Sequence, residues 1–470
     1  MPTAVKLKRQ IDMTEGRLFG KVVKYVLPLI ATNLLMVCYN FADMVVVGLS
    51  SEADAVGAVG VTGAFVALII NLLMGLGVGV NVCVAQNLGA KNSDGVEKTI
   101  HTATIATLIL GIILGAIGIL ISRPVLSLMG NRGNLLELAT VYTQIYFAGT
   151  PFIALTNSAV AIFRAKGDTK TPLIVMTSTG IANVILNIFF VMIVGWSVEG
   201  VALATLISNA LTAVILYYIL TREQGVCRFS FNKLKVDFDT LKTVLRIGIP
   251  SGIQGALFSI SNIIISSSVI KVNNLTVSAD AAYQPVVKGN SAASSLESFV
   301  YNATNAVYQA AVAFTGQNHG AKKYDRIKRV MVCCYSVTFL TAVLVGGLIL
   351  LFKAPLLSLF GVVDGAIGSL EHVAYDTAVI KLYILIIPYI TLAFMEVGSG
   401  ILRGMGRSTL STVICLVGSC VLRIIWVYTI FASFMNLEVL FASYPISWTL
   451  TAITSFIFAN IVIKLDKKTI

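Results

Sequence analysis

The sequence predicts an all-α membrane protein of twelve transmembrane helices in two pseudo-symmetric six-helix lobes. Three observations predict it: apolar runs too long for a soluble chain, basic residues concentrated in alternate loops, and landmarks that occur twice in the same order.

The 470 residues are 57% hydrophobic and only 12% charged, with a mean hydropathy of +0.88. A soluble domain uses about 25% charged residues to keep its surface hydrated. Runs such as Leu108–Ile121 and Leu340–Phe352 are continuous, so lipid is their natural solvent. Continuous runs indicate helices, because the strands of a membrane barrel alternate. Seven cysteines mostly fall inside these runs and lack metal-ligand spacing with histidine, so they read as small apolar residues. The first apolar stretch, Val22–Gly48, is too long for a signal-peptide core and lacks an Ala-x-Ala site, so it reads as the first span.

Twelve spans follow, near 22–48, 59–85, 99–121, 138–162, 172–194, 200–220, 248–270, 286–316, 330–352, 379–402, 409–431 and 443–463. The eighth is unusually polar between Asn290 and Gln309, which predicts a helix facing protein or water. With the N-terminus cytoplasmic, the outer segments hold six of the 34 basic residues: Arg123, Arg132, Lys271, Lys288, Lys353 and Lys381. Arg423 lies inside a span, and the rest fall in cytoplasmic segments. This asymmetry predicts a multi-pass plasma-membrane protein with both termini cytoplasmic. It also accounts for the net charge of +12 without nucleic acid, since basic loops face anionic lipid of the inner leaflet.

Gln86-Asn87-Leu88-Gly89-Ala90-Lys91 follows the second span, and Gln317-Asn318-His319-Gly320-Ala321-Lys322 follows the eighth. Pro28 opens the first span and Pro250 the seventh. Arg164-Ala165-Lys166-Gly167 after the fourth span matches Arg403-Gly404-Met405-Gly406 after the tenth. Each half has an even number of spans, so both share one orientation and their symmetry axis runs along the membrane normal. The expected division is an N-terminal lobe over 1–220, a cytoplasmic connecting loop over 221–246 and a C-terminal lobe over 247–470. Twin bundles flanking a cavity can rock to expose it to either side, which argues for transport. Enzyme chemistry is not expected. His101, His319 and His372 are scattered, and no His-Glu-x-x-His or nucleophile-elbow pattern occurs. Without a P-loop, the energy source expected is an ion gradient.

A charge at membrane depth costs about 2.5–3.5 kcal/mol on insertion scales, so it needs a partner or a purpose. Four residues qualify: Asp43, Glu297, Glu396 and Arg423. Asp43 is a candidate cation-coupling site, able to exchange a proton or hold sodium, or else a hydrogen bond between packed helices. Asn183 and Asn187, one turn apart, share a helix face and can reach the same site or act as packing glue. Glu297 and Glu396 are candidate substrate carboxylates. Glu297 reads equally as a residue at a wet helix end, and Glu396 as the partner of a basic loop residue. Arg423 is expected to neutralise a carboxylate of its own lobe, Glu297 first. Tyr39, Tyr146, Phe163, Tyr283, Tyr301 and Tyr308 are candidates for an aromatic cavity or for interfacial anchors. Gly75-x-x-x-Gly79 and Gly111-x-x-x-Gly115 fit close helix packing. Pro28, Pro151, Pro250 and Pro388 are expected to start or kink helices.

Ala42-Asp43-Met44-Val45-Val46-Val47-Gly48, the paired Gln-Asn-x-Gly-Ala-Lys loops and the two Arg-x-x-Gly loops together carry a family resemblance. Over nearly its whole length the chain resembles the multidrug and toxic compound extrusion (MATE) transporters. From Gly289-Asn290-Ser291-Ala292 to Gly320-Ala321-Lys322 it looks most like a bacterial subgroup. The resemblance implies a V-shaped pair of lobes and an antiporter that exports organic cations, drugs or metabolites in exchange for protons or sodium. No other cofactor is implied, and a monomer is expected. Asp43 falls at the family's first-span acidic residue and Asn183 at its fifth-span asparagine. Asn187 stands where many members have aspartate. The seventh-span glutamate of another branch has no counterpart, and Leu392 lies near that branch's tenth-span aspartate. A lipid-linked glycan flippase of the same superfamily is the alternative. An interior with one arginine against three carboxylates disfavours it.

Overall fold

In the computed structural model the described residues are 11–50, 52, 54–277 and 283–468. Among them there are helices and no strands. In chain order the helices are α1 (Leu18–Val47), α2 (Ala55–Gly89), α3 (Ser93–Leu128), α4 (the bent pair Gly133–Ala148 and Thr150–Ala165), α5 (Lys170–Ile193) and α6 (Val198–Arg222). The second set is α7 (Phe238–Thr276), α8 (Pro285–Gly320), α9 (Tyr324–Leu351), α10 (the bent pair Leu370–Ile386 and Tyr389–Gly404), α11 (Ser408–Phe434) and α12 (Leu437–Lys468). Among the described residues, nine helices are long and apolar enough to span a bilayer, and the two bent pairs make eleven. The twelfth is α8, too polar to qualify alone. Its small residues Ala303, Ala306, Ala310 and Ala313 are buried against neighbouring helices rather than lipid. Conversely, Leu120, Ile193 and Leu344 point outward and are more than 60% exposed, as a lipid-facing surface requires.

The four prolines expected to start or kink helices divide into two kinds. Pro151 and Pro388 sit at matching 47° bends in α4 and α10, one per lobe, where the missing N–H and the ring interrupt the helical ladder. Pro28 and Pro250 do not open their helices, as the sequence reading expects. Both lie inside, because α1 and α7 begin at Leu18 and Phe238. Those early turns carry Lys21, Lys24, Lys242 and Arg246, which mask the helix from a hydropathy reading. Asp237 starts α7 by accepting a hydrogen bond from Thr240 N at 2.8 Å, a side-chain cap on an orphan donor.

The repeat becomes a physical latch. Gln86 Nε2 donates to Gly404 O at 2.9 Å, and Gln317 Nε2 donates to Ala165 O at 2.7 Å. Each glutamine of the duplicated motif thus bonds the residue after the arginine of the opposite lobe's Arg-x-x-Gly motif. A Cβ on Gly89 would overlap the Gln317 carbonyl, and one on Gly320 would overlap the Gln86 carbonyl. Reciprocal contacts of this kind require a two-fold axis between the lobes. They also explain why the motif needs glycine: two backbones touch there. The Gly75-x-x-x-Gly79 stripe continues the seam. Gly75 meets Gly252 backbone to backbone, and Gly248 packs with its Cβ position 2.9 Å from Leu76 Cα. Gly111 and Gly115 instead receive the bend of α4 at Thr150 and Pro151.

The lobes also exchange helix ends. The first half of α1 (Val22, Tyr25, Val26, Leu29) belongs to a core formed with α8, α9, α10 and α12. Tyr25 and Phe314 meet edge to face with centroids 5.4 Å apart. The first half of α7 (Val244, Ile247) belongs to the core of α2–α6. All these contacts lie toward the face bearing Lys91, Lys166, Lys322 and Arg407, hereafter the basic face.

Asp168, buried at that face, accepts from Thr171 N at 3.0 Å and from Thr171 Oγ1 at 2.6 Å. It fixes the first turn of α5 and hence the direction of the helix that carries Asn183 and Asn187. Asp168→Ala is expected to cost about 0.5–2 kcal/mol. Thermal unfolding of the purified protein in detergent checks this, with Asp168→Asn retaining most of the stability.

Candidate functional site

The six candidate residues fall into two separate places. The first is a polar knot inside the N-terminal lobe. Asp43, half-buried on α1, turns its carboxylate toward α5, where Asn187 Nδ2 donates to Asp43 Oδ1 at 2.5 Å. The Asn183 amide, with its nitrogen toward the carboxylate, donates to the same oxygen at 2.9 Å, and its own oxygen accepts from Thr205 N at 3.3 Å. Both asparagines are buried. Tyr142 and Tyr146 of α4 lie within electrostatic reach of Asp43. The helical spacing of four residues puts both amides on one face, and α5 changes to a wider π-helical turn at Phe189–Ile193, just past Asn187.

Asn187 turns its Nδ2 to the carboxylate, and its Oδ1 is buried without a hydrogen-bond partner. A buried acceptor without a donor is the kind of group that a proton donor or a cation reaching it would satisfy. A carboxylate with two amides supplies the chemistry a coupling ion needs, a group that can take up a proton and oxygens that can ligate sodium.

The second place is a cavity of about 590 Å³ between the lobes, beyond the seam from the basic face. Its walls come from α2, α4, α7, α8 and α10–α12. Glu297, Glu396 and Arg423 all line it, whereas Asp43, Asn183 and Asn187 do not. Four further points correct the sequence reading.

First, Lys381, read as an outer-segment residue, is buried within α10, because that helix begins at Leu370 rather than near 379. Its Nζ bonds Asn290 Oδ1 at 3.0 Å and Ser294 Oγ, and lies 4.0 Å from Glu297 Oε2. Second, Arg423 is near enough to Glu297 to feel its charge but makes no ion pair among the described residues. Its Nε donates to Ser447 Oγ at 2.9 Å, and its guanidinium lies 4.2 Å from the Tyr444 ring centroid. The first cation beside Glu297 is Lys381.

Third, Arg164 and Arg403, read as loop residues, form the cavity floor over the latch. Arg403 donates to Tyr308 OH at 2.5 Å and to Gln254 Oε1 at 2.7 Å. Glu396 accepts from Asn305 Nδ2 at 2.9 Å and is not ion-paired with Arg403. Fourth, the charge balance reverses. The cavity holds Arg164, Lys381, Arg403 and Arg423 against Glu297 and Glu396, not one arginine against three carboxylates. Of the expected aromatics Tyr301 and Tyr308 line it. Phe258, Tyr389, Tyr444 and Trp448 complete the apolar wall. Tyr39 packs on Gly180 of α5 and bonds Thr177 O at 3.1 Å, so it holds helices together.

The one signal that would have found Arg164 and Arg403 is their place in the duplicated Arg-x-x-Gly motif at the end of a bent helix. Lys381 has a local signal too, since it stands alone in the apolar run Ala378–Ile387, a charge at membrane depth that needs a partner or a purpose.

A chain that seals a central cavity on one membrane face with a symmetric latch is built to carry a solute between faces: the class is a membrane transporter. The MatE family profile matches residues 28–189 and 250–429, and the chain belongs to this family, MATE, whose members are transporters. It is similar to the probable multidrug resistance protein YoeA of Bacillus subtilis, 29% identical over 343 residues covering 72% of each chain. It is 25% identical over 413 residues to the probable multidrug resistance protein YpnP of the same organism, covering 88% of each. A solved structure of a MOP superfamily transporter from Pyrococcus furiosus superposes with a TM-score of 0.86 at 23% identity, covering 97% of this chain and 98% of that one. These likenesses do not favour the lipid-linked glycan flippase.

Proposed function

We propose that the chain is an ion-coupled antiporter that exports small amphipathic organic compounds, drugs or metabolites, from the cytoplasm by alternating access, acting as a monomer. The basic face is then cytoplasmic, as its lysines and arginines indicate, and the structure is the state closed toward the cytoplasm. Similarity to the probable multidrug resistance proteins YoeA and YpnP supports export of varied organic molecules.

The observation that carries the reading is that α1 joins the polar knot to the other lobe. Its outer half holds Asp43 against Asn187 of α5. Phe41, two residues earlier, stacks on Phe299 of α8 at 6.3 Å, and Asn33 Nδ2 donates to Asn302 O of α8 at 2.9 Å. Loading Asp43 with a proton or sodium changes which groups its carboxylate bonds, and so changes how α1 sits between the lobes. A ligand moves a conformational equilibrium only through different contacts in the two states, and α1 supplies them.

Accumulation of a fluorescent amphipath in everted vesicles, with proton and sodium gradients imposed separately, tests the reading. One gradient is expected to drive accumulation, and an ionophore that collapses it to stop it. Accumulation indifferent to both gradients would contradict ion coupling.

A further inference from the structure

The side chains of the cavity wall bear directly on the charge of the solute. We propose that the cavity receives an amphipathic organic anion, with a carboxylate, sulfonate or phosphate held by Arg423 and Lys381 and an aromatic or alkyl body laid on the wall of Tyr444, Trp448 and Tyr389. The proposal rests on the exporter reading and names its substrate class.

Arg423 is 3% exposed. One edge of its guanidinium is used, Nε on Ser447, and the plane rests on Tyr444 and, at 5.6 Å, on Trp448. One terminal nitrogen of the guanidinium is buried with no hydrogen-bond partner. An arginine at membrane depth is costly to keep without a counter-charge, and its fork is shaped for the two oxygens of an acid. Ring stacking alone accounts for the plane of the group. It does not account for the unspent donors at a cavity wall.

The rest of the wall has the same sign. Lys381 leans on neutral acceptors, Asn290 and Ser294, and reaches Glu297 only at 4.0 Å. On the floor, Arg403 spends its terminal nitrogens on the neutral Tyr308 and Gln254, while its Nε and that of Arg164 are without partners. Among the described residues of the wall, Glu297 and Glu396 offset two of the four positive charges. A solute that arrives with one negative charge therefore gains attraction, while a cation meets net repulsion in a medium that screens poorly. The backbone of α11 is wound as π-helix on both sides of Leu422–Trp426. Such turns are rare and recur at functional sites.

The test uses the full-length protein in lipid nanodiscs and three probes that share one ring system: pyrenebutyrate, pyrenebutylamine and the methyl ester of pyrenebutyrate. Energy transfer from the protein's tryptophans, Trp448 among them, reads binding. The carboxylate is expected to bind at least about tenfold more tightly than the amine, the scale of one charge-assisted hydrogen-bonded pair. Arg423→Gln should erase that preference, and Arg423→Lys should keep part of it. Glu297→Gln, which removes a competing negative charge, should strengthen carboxylate binding several-fold, a gain that a merely structural role for the wall does not predict. Equal or tighter binding of the amine by the unaltered protein would overturn the proposal. So would carboxylate binding unchanged in both the Arg423→Gln and Glu297→Gln proteins. Vesicle transport separates the two readings. Gradient-driven export of the amine with no carboxylate preference leaves the exporter standing and removes the anion site. A carboxylate preference with no export of any probe under either gradient does the reverse.

Discussion

Asp43→Asn is expected to lower gradient-driven export by about tenfold or more, within the 5–150-fold that coupling free energies of 1–3 kcal/mol produce. The amide has the shape of the acid, so helix packing survives. It cannot take up a proton, and it is a poor ligand for sodium. It also brings an NH2 group into a knot where Asn187 and Asn183 already present theirs to the same atom. One of the three amides must turn, and the orphaned Asn187 Oδ1 is the natural acceptor for the new donor. The variant should therefore fold, insert and bind solute, since Asp43 lies outside the cavity wall. What it should lose is the dependence of transport on the imposed gradient. The vesicle assay checks this beside thermal unfolding of the purified protein. Full gradient-driven export by Asp43→Asn would remove this residue from the mechanism.

Gly89→Val is expected to open the basic face. The Cβ position of Gly89 coincides with the carbonyl of Gln317, a backbone atom that no rotamer change can move aside. Relief requires the two lobes to separate there, which breaks the Gln86–Gly404 and Gln317–Ala165 bonds with it. Overpacking costs of about 1–3 kcal/mol are usual, so the balance between closed and open basic face should shift by about 5–150-fold. Gly320→Val, its symmetry mate, should do the same, because the contact is reciprocal. Gly60→Val on the same α2 is the control, since its Cβ position meets nothing within 4 Å. It should leave transport unchanged.

Much of this architecture is legible in the sequence because lipid as a solvent permits few solutions. Helix content, the number of spans and the repeat follow from hydropathy and from motifs that recur in order. The Asp43–Asn183–Asn187 knot is also legible, because two of its members share a helix face and the third is an acid in an apolar run. The cavity is less so. Helix ends that extend past the bilayer carry no apolar signal, which hides the early starts of α1, α7 and α10. The start of α10 decides where Lys381 lies. Arg164 and Arg403 look like ordinary basic loop residues until the bends at Pro151 and Pro388 turn their helix ends under the cavity. Whether a charged side chain faces the lobe interior or the gap between lobes is a question of helix rotation, and periodicity is weakest where both faces of a helix are apolar.

The central claim is that the sealed basic face is one of two states between which solute and ion choose. Spin labels on cysteines replacing Asp94 and Asp325, exposed at the starts of α3 and α9 on opposite lobes, measure the separation across the latch in a background lacking Cys38. The account predicts two distances in lipid, with solute and ion moving their ratio in opposite directions and Gly89→Val favouring the longer. A single short distance in every condition, Gly89→Val included, would contradict it.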